Sequence, residues 1–262
     1  MPTLPPHQHR QVAESFGTDP ARYDRARPRY PQALVDRIVA ALPGPEVLDV
    51  GIGSGIAARQ FRAAGCRVTG VEPDDRMAEF ARQQGFPVDV ATFERWEPAG
   101  RTFDGVIAAQ AWHWVDPAAG AHQAARVLRP GGRLALFWNV AQPAPEAAEA
   151  FAAVHQRVAP DSLAARSYQA PAVVGYSAIF DRVAGPIRAA AAFGEPEQWQ
   201  VDWEMVYTRD EWLAALPTQG GHSELPPAAA DELLTEVGAA IDALGGSFTM
   251  RYAAVTVTAA RV

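Results

Sequence analysis

The sequence is poor in cysteine, in long apolar runs and in clustered basic residues, and each shortage excludes a class of protein. Its single cysteine, Cys66, cannot form an intrachain disulfide, which agrees with a reducing cytoplasm. The apolar runs are far shorter than the roughly 18 residues that a membrane-spanning helix needs. No segment is dense in Lys or Arg and the net charge is −7, so a nucleic-acid partner is not expected. The amino-terminal residues lack the basic start and apolar stretch of a secretion signal, which favours a cytoplasmic protein.

Several motifs that carry chemistry are also missing. The histidines are scattered, without a His-x-x-x-His or a pair of cysteines, so we predict no metal site. No Gly-x-Ser-x-Gly elbow is present, which excludes that kind of hydrolase nucleophile. No Gly-Lys-Ser/Thr follows the glycine-rich segment, which excludes a P-loop.

Strand and helix patterns alternate along the first half of the 262 residues. Apolar runs predict strands near 46–50, 67–72, 87–90, 104–109 and 133–138. Helical spacing predicts helices near 31–42, 54–64, 75–84 and 118–128. This alternation predicts an α/β fold with a parallel sheet and helices on both of its faces.

The alternation stops after Asn139. The pattern predicts a helix over 144–158 and then, over 159–200, helical pieces broken by Pro160, Pro171, Pro186 and Pro196. A strand at 201–207, helices at 209–216 and 228–244 and a final strand at 249–258 follow.

Residues 47–55, Val-Leu-Asp-Val-Gly-Ile-Gly-Ser-Gly, are the most informative stretch. A buried strand runs into Gly51, Gly53 and Gly55, and a helical pattern begins directly after them. Glycines at alternate positions let the backbone turn tightly and approach a ligand, and the helix start offers free N–H groups. The dinucleotide fingerprint fits poorly, because its third glycine would stand where Ile56 is. Asp49 would also repel a diphosphate but attract a cation.

A second acid is in register with this turn. Glu72 ends the second predicted strand, about 20 residues after the first glycine, where an acid in a doubly wound fold accepts hydrogen bonds from ribose hydroxyls. Together the two motifs resemble the class I S-adenosylmethionine-dependent methyltransferases. The phrase Gln110-Ala111-Trp112-His113-Trp114 resembles that of their type 11 small-molecule subgroup.

This resemblance implies a Rossmann-like, doubly wound, seven-stranded sheet that is mostly parallel, with its last strand antiparallel and a helical insertion after strand five. It implies S-adenosylmethionine as cofactor and S-adenosylhomocysteine as product. The implied domains are an N-terminal lid at 1–30, a cofactor-binding core at 31–139, a helical acceptor-pocket insertion at 140–200, and the remainder of the sheet at 201–262. The implied cofactor-binding residues are Tyr23, Arg27, Asp49, Gly51, Gly53, Gly55, Glu72, Pro73, Met77, Thr92, Phe93, Glu94, Gln110 and Ala111.

Acceptor-side residues follow from the same resemblance. They are Trp112, His113, Tyr176 and His222, with Thr218 beside the last of these. His113 has an unperturbed pKa that suits a general base, and the alternative is a structural hydrogen-bonding group between Trp112 and Trp114. Glu94 could contact adenine or only cap a turn. The aromatic residues of 140–200, including Phe151 and Phe193, could line an apolar acceptor pocket or build their own core.

The expected function is methyl transfer to a small-molecule acceptor, with a secondary metabolite as one such class, by a monomer or homodimer that binds neither membrane nor nucleic acid. Three other functions are weighed from the sequence. One is a reaction on the same cofactor without methyl transfer, and another is a non-catalytic binding protein. The third is an RNA or protein methyltransferase, and the acidic balance and the lack of an Asn/Asp-Pro-Pro-Tyr/Trp signature at Gln110-Ala111-Trp112-His113 disfavour methylation of a nucleic-acid base.

Overall fold

A single seven-stranded sheet forms the centre of the molecule. The computed structural model describes residues 16–160, 162, 165, 172–219, 222 and 225–262. Its strands are β1 (Glu46–Val50), β2 (Arg67–Glu72), β3 (Val88–Val90), β4 (Phe103–Ala109), β5 (Leu128–Pro143), β6 (Glu197–Thr208) and β7 (Ser247–Ala260). The strand order is β3-β2-β1-β4-β5-β7-β6, and β7 runs in the opposite direction to the other six strands. The predicted Rossmann-like sheet with an antiparallel last strand is confirmed.

Helices connect and flank the strands, and none of the described ones is long and apolar enough to cross a bilayer. They are α1 (Pro20–Ala26), α2 (Gln32–Ala40), α3 (Ile56–Ala63), α4 (Asp75–Gln83), α5 (Pro117–Val127), α6 (Pro145–Val158), α7 (Ala172–Ala189), α8 (Arg209–Ala215) and α9 (Pro227–Ala243).

Side chains at the helix starts fix several of these boundaries. Asp19, Asp74 and Asp116 precede α1, α4 and α5, and each accepts a hydrogen bond from the first turn of its helix. Thr208 and Glu211 form a capping box at the start of α8. These contacts satisfy amide groups that have no partner within the helix.

The strand order reverses between β1 and β4, because the chain first moves outward to β3 and then returns to the other side of β1. Helices on opposite faces leave a crevice at such a switch point, at the carboxyl ends of the strands. The glycine turn follows β1, and Gln110 follows β4. The fold therefore brings the two sequence motifs to one edge of the sheet.

The region between β5 and β6 is mainly helical, as predicted, but its limits differ. β5 continues to Pro143 and β6 begins at Glu197, so the predicted domain limits near 139/140 and 200/201 fall inside strands. The cause is β7, which pairs with β5 from Arg133 to Pro143 and with the whole of β6. Pro186 was expected to break a helix but lies inside α7. It stands near the end of this helix, where the lost N–H removes a single hydrogen bond.

The apolar core is divided among both faces of the sheet and the helical region. Phe151 of α6 is fully buried and stacks on Trp212 and against Phe248. Phe193 is also buried, in the core beneath α7. These two aromatic side chains therefore build the core of the region rather than line a pocket.

Candidate functional site

Left-handed backbone shapes the glycine turn. Gly51, Gly53 and Gly55 have φ values of +67°, +55° and +83°, a region that residues with a Cβ atom avoid. A Cβ on Gly51 would lie 2.6 Å from the Cβ of Ala111, so this glycine lets the segment after β4 approach the turn. A Cβ on Gly53 would meet no protein atom nearer than 3.9 Å. Gly53 thus faces open space at the crevice.

Glu72 is tied to the glycine turn by hydrogen bonds. Its Oε2 accepts the N–H of Gly53 at 2.9 Å, and its Oε1 accepts the N–H of Asp74 at 3.1 Å. The side chain is only 7% exposed, and burial raises its pKa to about 7 despite these two contacts. The carboxylate is therefore oriented by the backbone beside the open position at Gly53.

Asp49 is the least satisfied charged group of the site. It is 1% exposed, and neither of its carboxylate oxygens has a hydrogen-bond partner among the described residues. Burial, together with the nearby Glu72 carboxylate, raises its pKa well above the usual value. The Ser54 hydroxyl is likewise buried without a partner there. A buried carboxylate in this state favours a ligand that brings positive charge or hydrogen-bond donors.

A pocket opens above the glycine turn. It is lined by Tyr23, Arg27 and Tyr30 from the N-terminal segment, by the turn itself, by Gln110 directly after β4 and by Asn139 within β5. Three segments that are distant in sequence therefore converge on one concave site, which is the usual form of a small-molecule pocket.

Helix α1 covers this pocket and is held from two sides. Asp24 forms an ion pair with Arg59 of α3, and Arg59 also donates to the carbonyl of Ser54 at 3.0 Å. On the other side, Nη2 of Arg27 donates to the carbonyl of Thr218 at 2.8 Å, and its guanidinium lies over the ring of Tyr23. The helix is thus fastened to α3, whose Arg59 also contacts the glycine turn, and the residue that follows the helix, Arg27, is fastened to the segment after α8.

Gln110 has an unusual backbone at the end of β4. Its φ is +55°, which is uncommon for a residue other than glycine, and its N–H donates to the carbonyl of Phe137 at 2.9 Å. Its side-chain amide donates to the carbonyl of Asn139 at 2.9 Å. Asn139 in turn donates to the carbonyl of Arg29 at 3.0 Å and accepts from the indole of Trp203. This network fixes the pocket wall below α1.

His113 lies in a 3-10 turn, Trp112–Trp114, directly after Gln110 and Ala111. Its Nδ1 accepts the indole N–H of Trp138 at 3.4 Å, and its ring packs on Trp114. Burial and the positive charge of Arg182 lower the pKa of His113 to about 4. The imidazole is therefore neutral near pH 7. Trp112 is only 2% exposed and lies in the core between Phe93 and α5.

The predicted adenine-side residues lie near β2 and β3 but face different surroundings. Phe93 is 3% exposed and packs on Trp96, so its ring belongs to the core. Glu94 accepts the N–H of Asp116 at 2.8 Å, which is the capping alternative. The Thr92 hydroxyl is buried with no partner among the described residues. Met77 is buried at the start of α4, and Pro73 is exposed.

His222 lies between α8 and α9 in the sequence. It is 8% exposed, its Nε2 has no hydrogen-bond partner within the described parts of the chain, and its ring lies against His155. Burial, with the neighbouring His155, lowers the pKa of His222 to about 4. Thr218 is buried and donates its hydroxyl to the carbonyl of Ala215. The side chain of Tyr176 lies outside the described residues.

Sequence reasoning missed two residues of the site, Arg59 and Asn139. Arg59 reaches a partner 35 positions away, and Asn139 one 110 positions away, so no local pattern contains either contact. Asn139 carried one usable signal, because a polar residue at the carboxyl end of a buried strand faces the crevice of such folds.

A pH-dependent stability difference tests the burial of Glu72. Its folded pKa of about 7 lies above its unfolded value, so its stabilising contribution is complete below about pH 4.5 and lost as the pH rises through 7. We therefore expect the free energy of unfolding of Glu72→Gln, taken relative to that of the parent, to increase by up to about 3 kcal/mol from pH 5 to pH 8. Urea unfolding of both proteins at each pH measures this difference.

Comparing variant with parent cancels the opposing contribution of three histidines whose pKa values are lowered, His113, His155 and His222. Because the unfolded chain protonates these histidines first, they lower the free energy of unfolding of the protein as the pH falls below about 6.5. A difference that is the same at both pH values would contradict a buried, desolvated Glu72.

Comparisons with known proteins agree on one family. Residues 48–136 match a family model described as a methyltransferase domain, of type 11. An uncharacterized methyltransferase of Mycobacterium bovis is 41% identical over 133 residues, which are 50% of this chain and 54% of that protein. Malonyl-[acyl-carrier protein] O-methyltransferase of Enterobacter lignolyticus is 35% identical over 166 residues, or 59% of this chain and 63% of that protein.

Among solved structures, a candidate type II methyltransferase from Anaeromyxobacter dehalogenans is 25% identical with a TM-score of 0.63. The alignment covers 88% of this chain and 97% of that one. By contrast, the chain spans only about half the length of the first of these curated relatives.

Proposed function

We propose that the chain is a class I S-adenosylmethionine-dependent methyltransferase and that it transfers the methyl group of S-adenosylmethionine to a small-molecule acceptor, supported by its similarity to methyltransferases. The observation that carries the proposal is Glu72, which accepts the N–H of Gly53 beside an open position and lies near the unsatisfied carboxylate of Asp49. The cofactor has a ribose, an ammonium group and a sulfonium, and these three residues suit them.

The residues present fit this cofactor. Glu72, oriented by two backbone N–H groups, would accept hydrogen bonds from the ribose hydroxyls. Asp49, whose oxygens have no hydrogen-bond partner in the part of the chain that the structure describes, would respond to the positive charges of the ligand. Gly51, Gly53 and Gly55 would let the backbone approach the ligand, with Gln110 and Ala111 beside its methionine part. Tyr23 and Arg27 would cover it, and Pro73, Met77 and Thr92 would surround the adenine, whereas Phe93 lies in the core and Glu94 accepts the N–H of Asp116.

The protein's part in the reaction is mainly alignment. When bound, the cofactor supplies a methyl group that a positively charged sulfur has already activated. The chain's own residues have to hold the acceptor in line with that methyl group and to exclude water. Helix α1, fastened to α3 and to the segment after α8, suits the exclusion of water. The helical region 140–200 would shape the acceptor pocket, which His113, Tyr176 and His222 would border, whereas Trp112 lies in the core.

Calorimetry and product mass together test this function. We expect S-adenosylmethionine and S-adenosylhomocysteine to bind with a stoichiometry of one, and an acceptor to gain about 14 Da on turnover. Binding with a different product mass would favour a reaction without methyl transfer. Binding with no turnover of any acceptor would favour a non-catalytic binding protein. Absence of binding would reject the proposal.

His113 provides a test of the acceptor side. We expect His113→Ala to slow turnover about tenfold with little change in cofactor affinity, because it leaves the Trp138 indole N–H without its acceptor. His113→Asn, whose amide oxygen can accept that N–H, should recover much of the rate. Steady-state kinetics measure the turnover rate of both variants, and calorimetry measures their affinity for the cofactor. A fully active His113→Ala would leave the residue with a packing role only.

A further inference from the structure

The pocket-lining residues of the N-terminal segment all fall within residues 23–30, which we call the cover segment. They are Tyr23, Arg27, Pro28 and Tyr30. Local structure alone does not hold the cover segment in place, because α1 is only seven residues long and none of these seven is fully buried. Contacts with other elements therefore decide whether these side chains face the pocket above the glycine turn.

Arg59, near the start of α3, contacts the cover segment and the glycine turn at once. Its Nη2 pairs with the Asp24 carboxylate, and its Nη1 donates to the carbonyl of Ser54 at 3.0 Å. The side chains of Arg59 and Asp24 are 22% and 17% exposed, so water and salt screen this ion pair less than they would a surface pair. Asp24 also lies 3.8 Å from the guanidinium of Arg29, a side chain that is half exposed. The stronger hold on Asp24 thus comes from α3.

Gln60, the next residue of α3, holds the other end of the cover segment. Its Nε2 donates to the carbonyl of Tyr30 at 2.8 Å, and its Oε1 accepts the N–H of Tyr30 at 3.0 Å. The ring of Tyr30 packs edge-on against Phe137 of β5, with 4.8 Å between the ring centroids. Tyr30 is therefore fixed through its backbone by α3 and through its side chain by the sheet.

These contacts connect both ends of the cover segment to α3. Because α3 begins directly after Gly55, the cover segment is positioned relative to the glycine turn itself. On the opposite side, Arg27 donates to the carbonyl of Thr218. Neither Arg59 nor Gln60 lines the described pocket, so any effect that they have on a ligand passes through the residues they hold.

We propose that Arg59 and Gln60 are positioning residues of the cofactor site, which act through Asp24 and Tyr30 to keep the cover segment over the bound cofactor and slow its release. The proposal rests on the binding of S-adenosylmethionine proposed above. Loss of either contact frees one end of the cover segment, since α1 has no fully buried residue to hold it. A bound ligand should then leave the pocket faster.

The dissociation rate of S-adenosylhomocysteine tests this role. Arg59→Gln removes the charge that pairs with Asp24, and we expect the dissociation rate constant to rise about tenfold. Gln60→Leu removes both hydrogen bonds to Tyr30 and should give a rise of similar size. Arg59→Lys keeps the positive charge beside Asp24 and should recover part of the lost retention. Surface plasmon resonance with the immobilised protein measures these rates.

Arg129→Gln breaks a comparable ion pair far from the pocket. Arg129 pairs at 2.7 Å with Asp104, a buried carboxylate that also accepts the N–H of Glu46. Asp104 stands near the start of β4, at the opposite end of the strands from the pocket. The variants at positions 59 and 129 should both lower the Tm, whereas only the one at position 59 should speed dissociation.

Asp24→Asn tests whether Arg59 acts through Asp24. Alone, it should raise the dissociation rate constant, but it should add little to Arg59→Gln, because the partner charge is already gone. Effects that add in the double variant would mean that the two residues act independently, which contradicts the proposed route.

Hydrogen exchange reports on the cover segment without any cofactor. The N–H of Arg27 donates to the carbonyl of Tyr23 at 3.0 Å, and the N–H of Tyr30 is held by Gln60. In Arg59→Gln we expect the amides of residues 23–27 to exchange about tenfold faster than in the parent. Arg129→Gln should leave them unchanged. Unchanged exchange in Arg59→Gln would show that this residue does not hold the cover segment.

Failure of this role and failure of the underlying function give different results. If the parent binds S-adenosylhomocysteine and the variants at positions 59 and 60 release it at the parent rate, the positioning role is rejected and the proposed function stands. Equal acceleration in Arg129→Gln would assign the faster release to a general loss of stability, and would also reject the positioning role. If the parent does not bind the cofactor or its product, the proposed function is rejected and the positioning role falls with it.

Discussion

Replacing Glu72 with alanine is expected to weaken the binding of S-adenosylmethionine by about 10²- to 10⁴-fold. A carboxylate that accepts both ribose hydroxyls contributes two charge-assisted hydrogen bonds, of about 1.5–3 kcal/mol each. The structure adds a second reason, because the same carboxylate holds the N–H of Gly53 at 2.9 Å and so orients the turn. Alanine removes both functions at once. Isothermal calorimetry with the cofactor and with its demethylated product measures the loss.

Two companion variants show whether the loss of affinity is specific to the Glu72 carboxylate. Glu79→Ala removes an exposed carboxylate from neighbouring α4 and should leave the affinity unchanged. Glu72→Gln keeps one amide oxygen that can accept a backbone N–H but lacks the charge, and should lie between the parent and Glu72→Ala. Thermal unfolding establishes that each variant is folded. If folded Glu72→Ala binds the cofactor as tightly as the parent, the ribose assignment is wrong.

The predictable part of the fold was the part with strong local patterns. The strands at 46–50 and 67–72 match their predicted limits, because each is a short apolar run between clear turn or helix signals. The strand predicted at 133–138 is instead β5, Leu128–Pro143. Its extension from residue 139 to Pro143 depends on β7, which supplies hydrogen bonds to a segment whose own composition is not strand-like, and its earlier start at Leu128 comes from pairing with Phe103 of β4.

The candidate site also contains residues that local sequence patterns could predict and residues that they could not. Asp49, the glycines and Glu72 could be predicted because a strand, a turn and the next strand fix them within one local unit. Phe93 and Trp112 were expected at the ligand, but both lie in short 3-10 turns, where no periodicity distinguishes the inner from the outer face. Their packing against each other, at 6.0 Å between ring centroids, is a tertiary contact that only the folded chain reveals.

A valine at position 53 is expected to abolish cofactor binding while leaving the fold in place. The backbone there has φ +55°, so a β-branched side chain costs about 1–2 kcal/mol in strain. In a chain of this size, that cost lowers the Tm by only a few degrees. The new Cβ would meet no protein atom within 3.9 Å, so the side chain would occupy the open space beside Glu72. A ligand that needs that space would lose at least about a hundredfold in affinity.

Gly65→Val is the matched control for this substitution. Gly65 also has a left-handed backbone, with φ +95°, and a Cβ there would meet nothing within 4 Å, but it lies in the turn between α3 and β2, at the opposite end of the strands from the pocket. Both valines should therefore lower the Tm, whereas only the one at position 53 should remove binding in calorimetry. Loss of binding in both variants would mean that backbone strain alone disables the site. Binding retained by a folded Gly53→Val would place the ligand away from the open space beside Glu72, because the valine side chain would fill that space.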